Sequence, residues 1–244
     1  MLRTLIGGYG RGRALLTIDR IVAKYCSLGS TTEQAARLRR AGLPAAAMKQ
    51  AVSVANFRAN HDGGQDQEQV ERFRASLISL PRHEQINSYL GLFGSHERAL
   101  PLWEATLREP ATVFWRVFLR NWGVCDSIWP LRQLMLSTLR QRAGELSPIE
   151  FMEEPDRQFY DRLPSQVRVY RGCARRRVRS LPWTTDRAVA DKFARGGRFP
   201  QPPDPVMACA EIAKADLFFV SADRQENEAV LDPYSIKNLR LEPL

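Results

Sequence analysis

The sequence predicts an α+β fold, in which a helical N-terminal region precedes a small mixed or antiparallel β-sheet. Apolar residues recur at helical spacing up to about residue 160, and after Pro164 the pattern changes to the two-residue alternation of strands. Helices first and strands later are typical of α+β proteins. With 244 residues, of which 44% are hydrophobic and 26% charged, the composition is that of a globular protein with one large or two small domains.

The N-terminal region carries nearly all of the net charge of +9. Residues 1–60 hold ten basic and two acidic residues, whereas residues 61–244 hold 26 and 25. Such asymmetry indicates a possible contact with nucleic acid, an acidic partner or a membrane surface. Ser30 and Glu33 match a capping box, which predicts a short basic helix to about residue 40. Residues 41–44 break this helix, and a second one is expected to about residue 57. A helix-turn-helix and an ordinary helical hairpin both fit this pattern.

A domain boundary is predicted near residue 64. Residues 61–67 are polar and contain no apolar side chain, as in a linker, and the charge balance changes at the same place. We therefore expect a basic helical region over residues 1–64 and a second domain over residues 65–244. The second domain would contain helices over residues 66–160 and a strand-rich part over residues 165–244.

Three helices of the second domain can be placed from apolar spacing. One covers residues 68–80 and ends at Pro81, and another begins after Pro110. The helix after Pro110 is apolar around so much of its circumference that it should be buried. Its two stripes are Val113, Phe114, Val117 and Phe118, and Trp115, Leu119 and Trp122. A third helix is predicted from Leu131, Leu134, Met135, Thr138 and Leu139.

Four strands and one short helix are predicted after Pro164. The strands cover residues 167–172, 206–212, 218–220 and 228–231. Between the first two, Asp186 is expected to cap a helix that Gly196 and Gly197 end. The apolar side of that helix comprises Val189, Ala190, Phe193 and Ala194.

The cysteines and the hydropathy exclude several classes of protein. Four widely separated cysteines, at positions 26, 125, 173 and 209, form no C-x-x-C pair, which excludes a zinc ribbon and argues against a disulfide scaffold. No apolar run approaches the ~18 residues that a membrane helix needs. We therefore expect a cytoplasmic protein with reduced thiols, no membrane span and no bound metal, with delivery into another cell left open.

Arg171 and Gly172 are the first candidate site residues. Arg171 shares an alternating row with Val167 and Val169 on the first strand, so its side chain is expected to point inward. Burying an arginine requires an anionic partner, either a carboxylate of the protein or the phosphate of a ligand. Gly172 follows directly and would let a ligand approach the backbone.

Two further groups of polar residues are candidates. In an extended chain Glu226 and Glu228 share a face, with carboxylates about 7 Å apart, close enough to perturb each other's ionisation. A solvated acidic loop is the alternative. Ser180, Thr184 and Thr185 precede the short helix, where hydroxyl groups usually act as caps.

The order and spacing of these segments resemble a known enzyme family. VYRG, LPWTTD followed by VADKFA, and RQENEAVL stand in the order found in bacterial and prophage-like mono-ADP-ribosyltransferases of the arginine–serine–glutamate class. The resemblance covers about residues 165–235. It implies an ADP-ribosyltransferase-type fold, NAD as substrate, and transfer of ADP-ribose to an acceptor protein by a toxin-like or prophage enzyme.

The resemblance also implies residue roles. Arg171 would hold the NAD pyrophosphate, and the Gly172 backbone would meet the nicotinamide amide. Glu228 would be the catalytic glutamate. Glu226 matches the upstream glutamate that accompanies modification of arginine side chains in this family.

The second motif would shape the nicotinamide pocket through Trp183 and Thr184. The family has serine where this chain has Pro182, so Ser180 and Thr184 are the nearest hydroxyls that could replace it. Phe193 would either pack against the nicotinamide or fill the core.

Three other functions also fit the sequence. One is a nucleic-acid-binding protein that uses residues 1–60 and carries a degenerate NAD site. Another is an NAD glycohydrolase, in which water is the acceptor, and a third is a purely structural protein. The segment from Arg168 to Arg179 has six arginines and no acid, so it either steers NAD or an acidic macromolecule or forms a solvated loop.

Overall fold

The computed structural model describes residues 67–197 and 200–244, together with Ile18 and Arg20. The chain divides into two compact units, Met1–Pro130 and Leu131–Leu244. The capping box at Ser30, the two predicted basic helices and the linker over residues 61–66 lie outside the described residues. The boundary predicted near residue 64 lies there too and stays a prediction.

The described part of the first unit is helical. Its α-helices are α1 (Gln67–Ile78), α2 (Arg82–Gly91), α3 (Ala99–Thr106) and α4 (Ala111–Trp122). Pro81 and Pro110 are the residues that precede α2 and α4, where a missing N–H costs no helical hydrogen bond. The predicted burial of α4 is confirmed, since its aromatic residues Phe114, Trp115, Phe118 and Trp122 are buried.

The second unit begins with two α-helices, α5 (Arg132–Glu145) and α6 (Asp156–Arg162). In α5 the buried side chains are Met135, Leu136, Thr138, Leu139 and Arg142. These residues follow the three- and four-residue spacing that predicted the helix.

A six-stranded antiparallel sheet forms the rest of the second unit. Its strands are β1 (Gln166–Ala174), β2 (Pro182–Thr184), β3 (Pro205–Ala213), β4 (Leu217–Ser221), β5 (Glu228–Leu231) and β6 (Lys237–Pro243). They lie in the order β4-β5-β2-β1-β3-β6. The α+β class is thus confirmed. The four predicted strands correspond to β1, β3, β4 and β5, whereas β2, which contains Trp183 and Thr184, was not predicted.

The short helix α7 (Arg187–Ala194) packs on one face of the sheet. As predicted, Asp186 caps it, because the Asp186 carboxylate accepts hydrogen bonds from the backbone N–H groups of Ala188 and Val189. After the helix, Gly196 and Gly197 adopt positive φ angles. The opposite face of β1 and β3 is largely apolar, with Val167 opposite Ile212 and Val169 opposite Ala210.

Candidate active site

Three neighbouring strands bring the candidate residues from separate segments together. Tyr170 on β1 pairs with Thr184 on β2, and Thr184 pairs with Glu228, the first residue of β5. Arg171 follows Tyr170 directly, so it lies one position along β1 from this row. The sheet order β5-β2-β1 therefore gathers Arg171, Thr184 and Glu228 within the width of three strands.

The Arg171 guanidinium is held by backbone carbonyls. Its Nε donates to the carbonyl oxygen of Arg177 at 3.2 Å, and its Nη1 donates to the carbonyl oxygen of Pro182. These bonds use two of the five N–H groups of the side chain. In the part of the chain that the structure describes, no carboxylate forms an ion pair with Arg171. The two carbonyl oxygens therefore orient this side chain and carry no formal charge.

Neighbouring groups shift the pKa of Arg171 in both directions. Burial lowers the pKa of the Arg171 guanidinium, while the Cys173 thiol and the Glu228 carboxylate act in the opposite direction. The charge of Arg177 lowers the pKa of Arg171 further. Adjacent positions on a strand point to opposite faces, so the register alone would separate Arg171 from Glu228. Their electrostatic interaction agrees with a guanidinium that lies against the β2 backbone, next to β5.

Gly172 is required for packing of α7 on β1. A Cβ atom at this position would lie 1.8 Å from the carbonyl oxygen of Ala190 and 2.6 Å from the backbone nitrogen of Ala194. Both atoms belong to the backbone of α7, so no side-chain rotation could relieve the clash. The sequence predicts that Gly172 lets a ligand approach the backbone. On the face where a side chain would project, helix α7 makes this close approach.

The second motif forms β2 and its approach. Trp183 is buried, and its indole N–H donates to the carbonyl oxygen of Ser180 at 3.1 Å. Ser180 is itself 1% exposed. Thr184 Oγ1 donates to the carbonyl oxygen of Glu226 at 2.6 Å and accepts from the backbone N–H of Asp186 at 3.0 Å. The Thr184 hydroxyl therefore joins the start of α7 to the segment before β5.

Glu226 lies in a turn, not on an extended strand. Arg224, Gln225 and Asn227 have φ angles of 58°, 58° and 45°, in the left-handed region that residues other than glycine seldom adopt. The expectation that Glu226 and Glu228 share one strand face is therefore wrong, because the chain is not extended between them. Both residues are half-buried.

The turn before β5 is fixed at both ends. At its start, the backbone N–H of Ala222 donates to Asp156 Oδ1 at 2.7 Å. At its end, the backbone N–H of Thr185 donates to the carbonyl oxygen of Asn227 at 3.1 Å, beside the Thr184–Glu226 hydrogen bond. Left-handed residues held in this way are costly locally and are found preferentially at functional sites.

The basic segment over residues 168–179, which begins within β1 and leads to β2, is partly anchored. Arg168 lies 3.5 Å from Glu211, and Arg175 lies 3.0 Å from Asp204. Arg179 donates to the carbonyl oxygen of Pro233. Exposed ion pairs of this kind contribute little stability, so the anchoring mainly sets the path of the segment.

Phe193 is half-buried on α7, whereas its neighbour Ala194 is fully buried against the sheet. The side chain is thus only partly within the core.

Sequence reasoning missed two residues next to the site. Cys173 lies on the same face of β1 as Arg171, and the charge of Arg171 acts on its thiol. Burial is the main cause of the raised pKa of this thiol, which keeps it protonated. The two-residue spacing between Arg171 and Cys173 is enough to predict that both side chains lie on one face of the strand. Asp156 had no such signal, because its contact with Ala222 joins segments far apart in sequence.

The described residues contain neither a metal site nor a membrane-spanning helix. Over residues 67–197 and 200–244, no group of three or more histidine, cysteine or acidic side chains is arranged to hold a metal ion. No helix in the same ranges is both long and apolar enough to cross a membrane. Comparisons with protein-family models, with curated proteins and with solved structures found no match to the chain.

Proposed function

We propose that the chain is an NAD-dependent mono-ADP-ribosyltransferase with an ADP-ribosyltransferase-type fold. It cleaves the nicotinamide–ribose bond of NAD and transfers ADP-ribose to a protein side chain, arginine favoured. The observation that carries the proposal is the placement of Arg171, Thr184 and Glu228 on the adjacent strands β1, β2 and β5. These residues belong to the three segments that resemble the family's motifs, and the resemblance implies that they form one NAD site.

Arg171 binds the NAD pyrophosphate in this proposal. The carbonyl oxygens of Arg177 and Pro182 hold its guanidinium in place, and N–H groups remain for a ligand. A planar guanidinium can donate two parallel hydrogen bonds to phosphate oxygens, and a charged pair of this kind is stronger than a neutral one. Over residues 67–197 and 200–244 no carboxylate forms an ion pair with Arg171, so its charge is available to the pyrophosphate.

Glu228 stabilises the charge that develops during bond cleavage. As the nicotinamide–ribose bond breaks, nicotinamide leaves with the bonding electron pair and the ribose gains positive, oxocarbenium-like character. A carboxylate held beside that carbon stabilises the transition state. Glu226 then accepts a proton from the acceptor guanidinium as its nitrogen forms the new bond to ribose.

Thr184 takes the place of the family's serine. The residue at the serine position, Pro182, has no hydroxyl, but its carbonyl oxygen binds Arg171 and any residue there would supply that group. Thr184 pairs directly with Glu228, and its hydroxyl binds the backbone of Glu226. Ser180 has no strand pairing with Glu228 and contributes its backbone carbonyl to the Trp183 indole, so it is the weaker substitute.

The decisive experiment measures nicotinamide release from NAD by the wild-type chain and by Glu228→Gln. This substitution keeps the shape of the side chain and removes its charge. Loss of one preorganised electrostatic group lowers the rate by about 10²–10³, and we expect at least that effect. Glu211→Gln is the matched control, since Glu211 lies on β3 and pairs with Arg168. An equal rate in wild type and Glu228→Gln would remove Glu228 from the mechanism.

The acceptor is tested by the same assay with labelled NAD and a small guanidine compound such as agmatine. Transfer to the guanidine supports the arginine preference, and we expect Glu226→Gln to lose this transfer while retaining release of nicotinamide. Release without transfer to any guanidine or lysate protein would instead indicate an NAD glycohydrolase. If the wild type releases no nicotinamide under any condition, the enzymatic proposal fails.

A further inference from the structure

Strand β6 has one edge that no strand of the described sheet covers. It lies at the end of the strand order and pairs with β3 alone, whereas the strand at the other end, β4, contacts helix α6. None of the side chains of β6 is buried, and Leu241 is 39% exposed. The backbone N–H and C=O groups along such an edge are able to pair with a further strand.

The regular part of β6 is short. Its pairing with β3 is continuous from Arg240 to Pro243. Before Arg240 the register shifts, and Asn238 has a φ angle of 53°. An irregularity of this kind twists an edge away from a partner. The segment suited to pair with another strand is therefore limited to about residues 239–243.

Opposite charges stand on one face of this segment and a leucine on the other. Arg240 and Glu242 are two residues apart and share a face, which is the face of α7 because Arg187 on that helix pairs with Glu242 Oε2. Leu241 lies on the opposite face. Arg240 is exposed and forms no ion pair with a described residue, and the second oxygen of Glu242, Oε1, accepts no hydrogen bond from one.

The geometry of antiparallel strands limits how two copies of this segment could pair. Opposite residues must turn their hydrogen-bonding groups the same way, so two copies of one strand pair symmetrically about a single residue. Centring on Arg240 or on Glu242 places like charges opposite each other, which is unfavourable. Centring on Leu239 places Arg240 opposite Asn238. Centring on Leu241 places Arg240 of each copy opposite Glu242 of the other, and the two Leu241 side chains opposite each other.

We propose that β6 pairs with β6 of a second copy of the chain, antiparallel and centred on Leu241, so that the sheet continues across a weak homodimer. The two Arg240–Glu242 pairs lie on the face of α7, and the leucines meet on the other face. Glu242 holds Arg187 of its own chain and Arg240 of the other copy at once, because a carboxylate accepts on both oxygens. The contact does not depend on the proposed NAD chemistry.

The size of the contact sets its strength. A few residues from each strand bury less surface than the ~1,200–2,000 Å² of stable interfaces, even with Leu244, which is 46% exposed, beside the pair. We therefore expect a dissociation constant of about 10 µM to 1 mM. A dimer of this strength forms only in concentrated solution.

The test is sedimentation velocity of the full chain over a series of concentrations up to about 1 mM. We expect the weight-average mass to rise from 27.8 kDa towards twice that value. Arg240→Glu turns two attractive pairs into repulsive ones and should weaken association about tenfold or more, and Glu242→Arg should do the same. The double variant with both changes exchanges the charges and should restore association. Leu241→Lys, which places two ammonium groups at the centre, should be monomeric.

Lys237→Glu is the matched control, because it makes the same change of charge on the same strand outside the paired residues. It should associate as the wild type does, and the melting temperature of each variant shows whether it is folded. A wild-type chain that is monomeric at about 1 mM would overturn the inference. Equal weakening by Lys237→Glu and Arg240→Glu would overturn it as well, since net charge would then explain both. A dimer that Arg240→Glu leaves intact, or a folded double variant that does not associate, would place the contact elsewhere and refute the register.

Discussion

Replacing Gly172 by alanine should separate α7 from the sheet. The added Cβ would lie 1.8 Å from the Ala190 carbonyl oxygen, 2.6 Å from the Ala194 nitrogen and 2.8 Å from the Ala190 carbonyl carbon. All three atoms are backbone, so the helix itself must move. Overpacking a core costs about 1–3 kcal/mol and occasionally more, and we expect Gly172→Ala to lie at or above the upper end.

The change is measured as the free energy of unfolding in urea and as the melting temperature. A loss of about 3 kcal/mol corresponds to a decrease in melting temperature of roughly 12 °C for a unit of this size. Gly144→Ala is the matched control, because Gly144 lies in α5 of the same compact unit and its Cβ would meet nothing within 4 Å. There alanine should stabilise the chain by up to about 1 kcal/mol, since it favours helix over glycine.

A Gly172→Ala variant as stable as wild type would refute this account of the packing. It would also return Gly172 to the sequence-based interpretation, in which glycine serves the approach of a ligand. A variant that is destabilised but still binds ADP-ribose with wild-type affinity would show that the glycine serves the helix alone.

Three further predictions concern single side chains. Thr184→Val should lower the rate of nicotinamide release because it removes the hydroxyl that holds the turn before β5, whereas Thr185→Val keeps its backbone bond and the wild-type rate; equal rates in the two variants would contradict this. Arg82→Ala should cost about 3–5 kcal/mol in urea unfolding because it strands the buried carboxylate of Glu109, and a loss below about 1 kcal/mol would contradict the pairing. Burial raises the pKa of Tyr89 to about 12, so the folded chain holds this proton more tightly than the unfolded chain, whose tyrosine pKa is about 10. Stability is therefore unaffected below about pH 10 and falls between pH 10 and 12; urea titrations should show a smaller decrease in Tyr89→Phe, and identical decreases would refute the shift.

Local signals in the sequence were sufficient for several elements. The predicted strand over residues 228–231 has the bounds of β5, and the capping role of Asp186 at α7 is confirmed. Both depend on interactions within a few residues, which a single sequence contains. The capping carboxylate and the alternation of apolar residues act before any distant contact forms.

Two strands carried no readable signal. β2 has only three residues, too few for a period to be recognised, and it is a strand because β1 and β5 flank it. β6 lies at the edge of the sheet and none of its residues is buried, so no apolar alternation marks it. At these positions the neighbouring strands, not the local sequence, determine that the chain forms a strand.

The sequence predicts which residues belong to the candidate site but not how they are arranged. Arg171, Thr184 and Glu228 were all named, yet their convergence depends on strand order, which the sequence does not state. The segment from Glu226 to Glu228 is not extended as expected, because Asn227 has a left-handed conformation. That conformation depends on the hydrogen bonds from Thr184 and Thr185, which are distant in sequence.

The position of β5 has a consequence for biosynthesis. β5 is the only strand in the described sheet that pairs with β4, and it also pairs with β2. β4 precedes it in the chain, so during translation β4 has no partner in the sheet until β5 has been made. When β5 pairs with β2, Glu228 comes to lie next to Thr184. If the proposed activity is correct, a nascent or truncated chain that lacks β5 also lacks Glu228 and cannot cleave NAD.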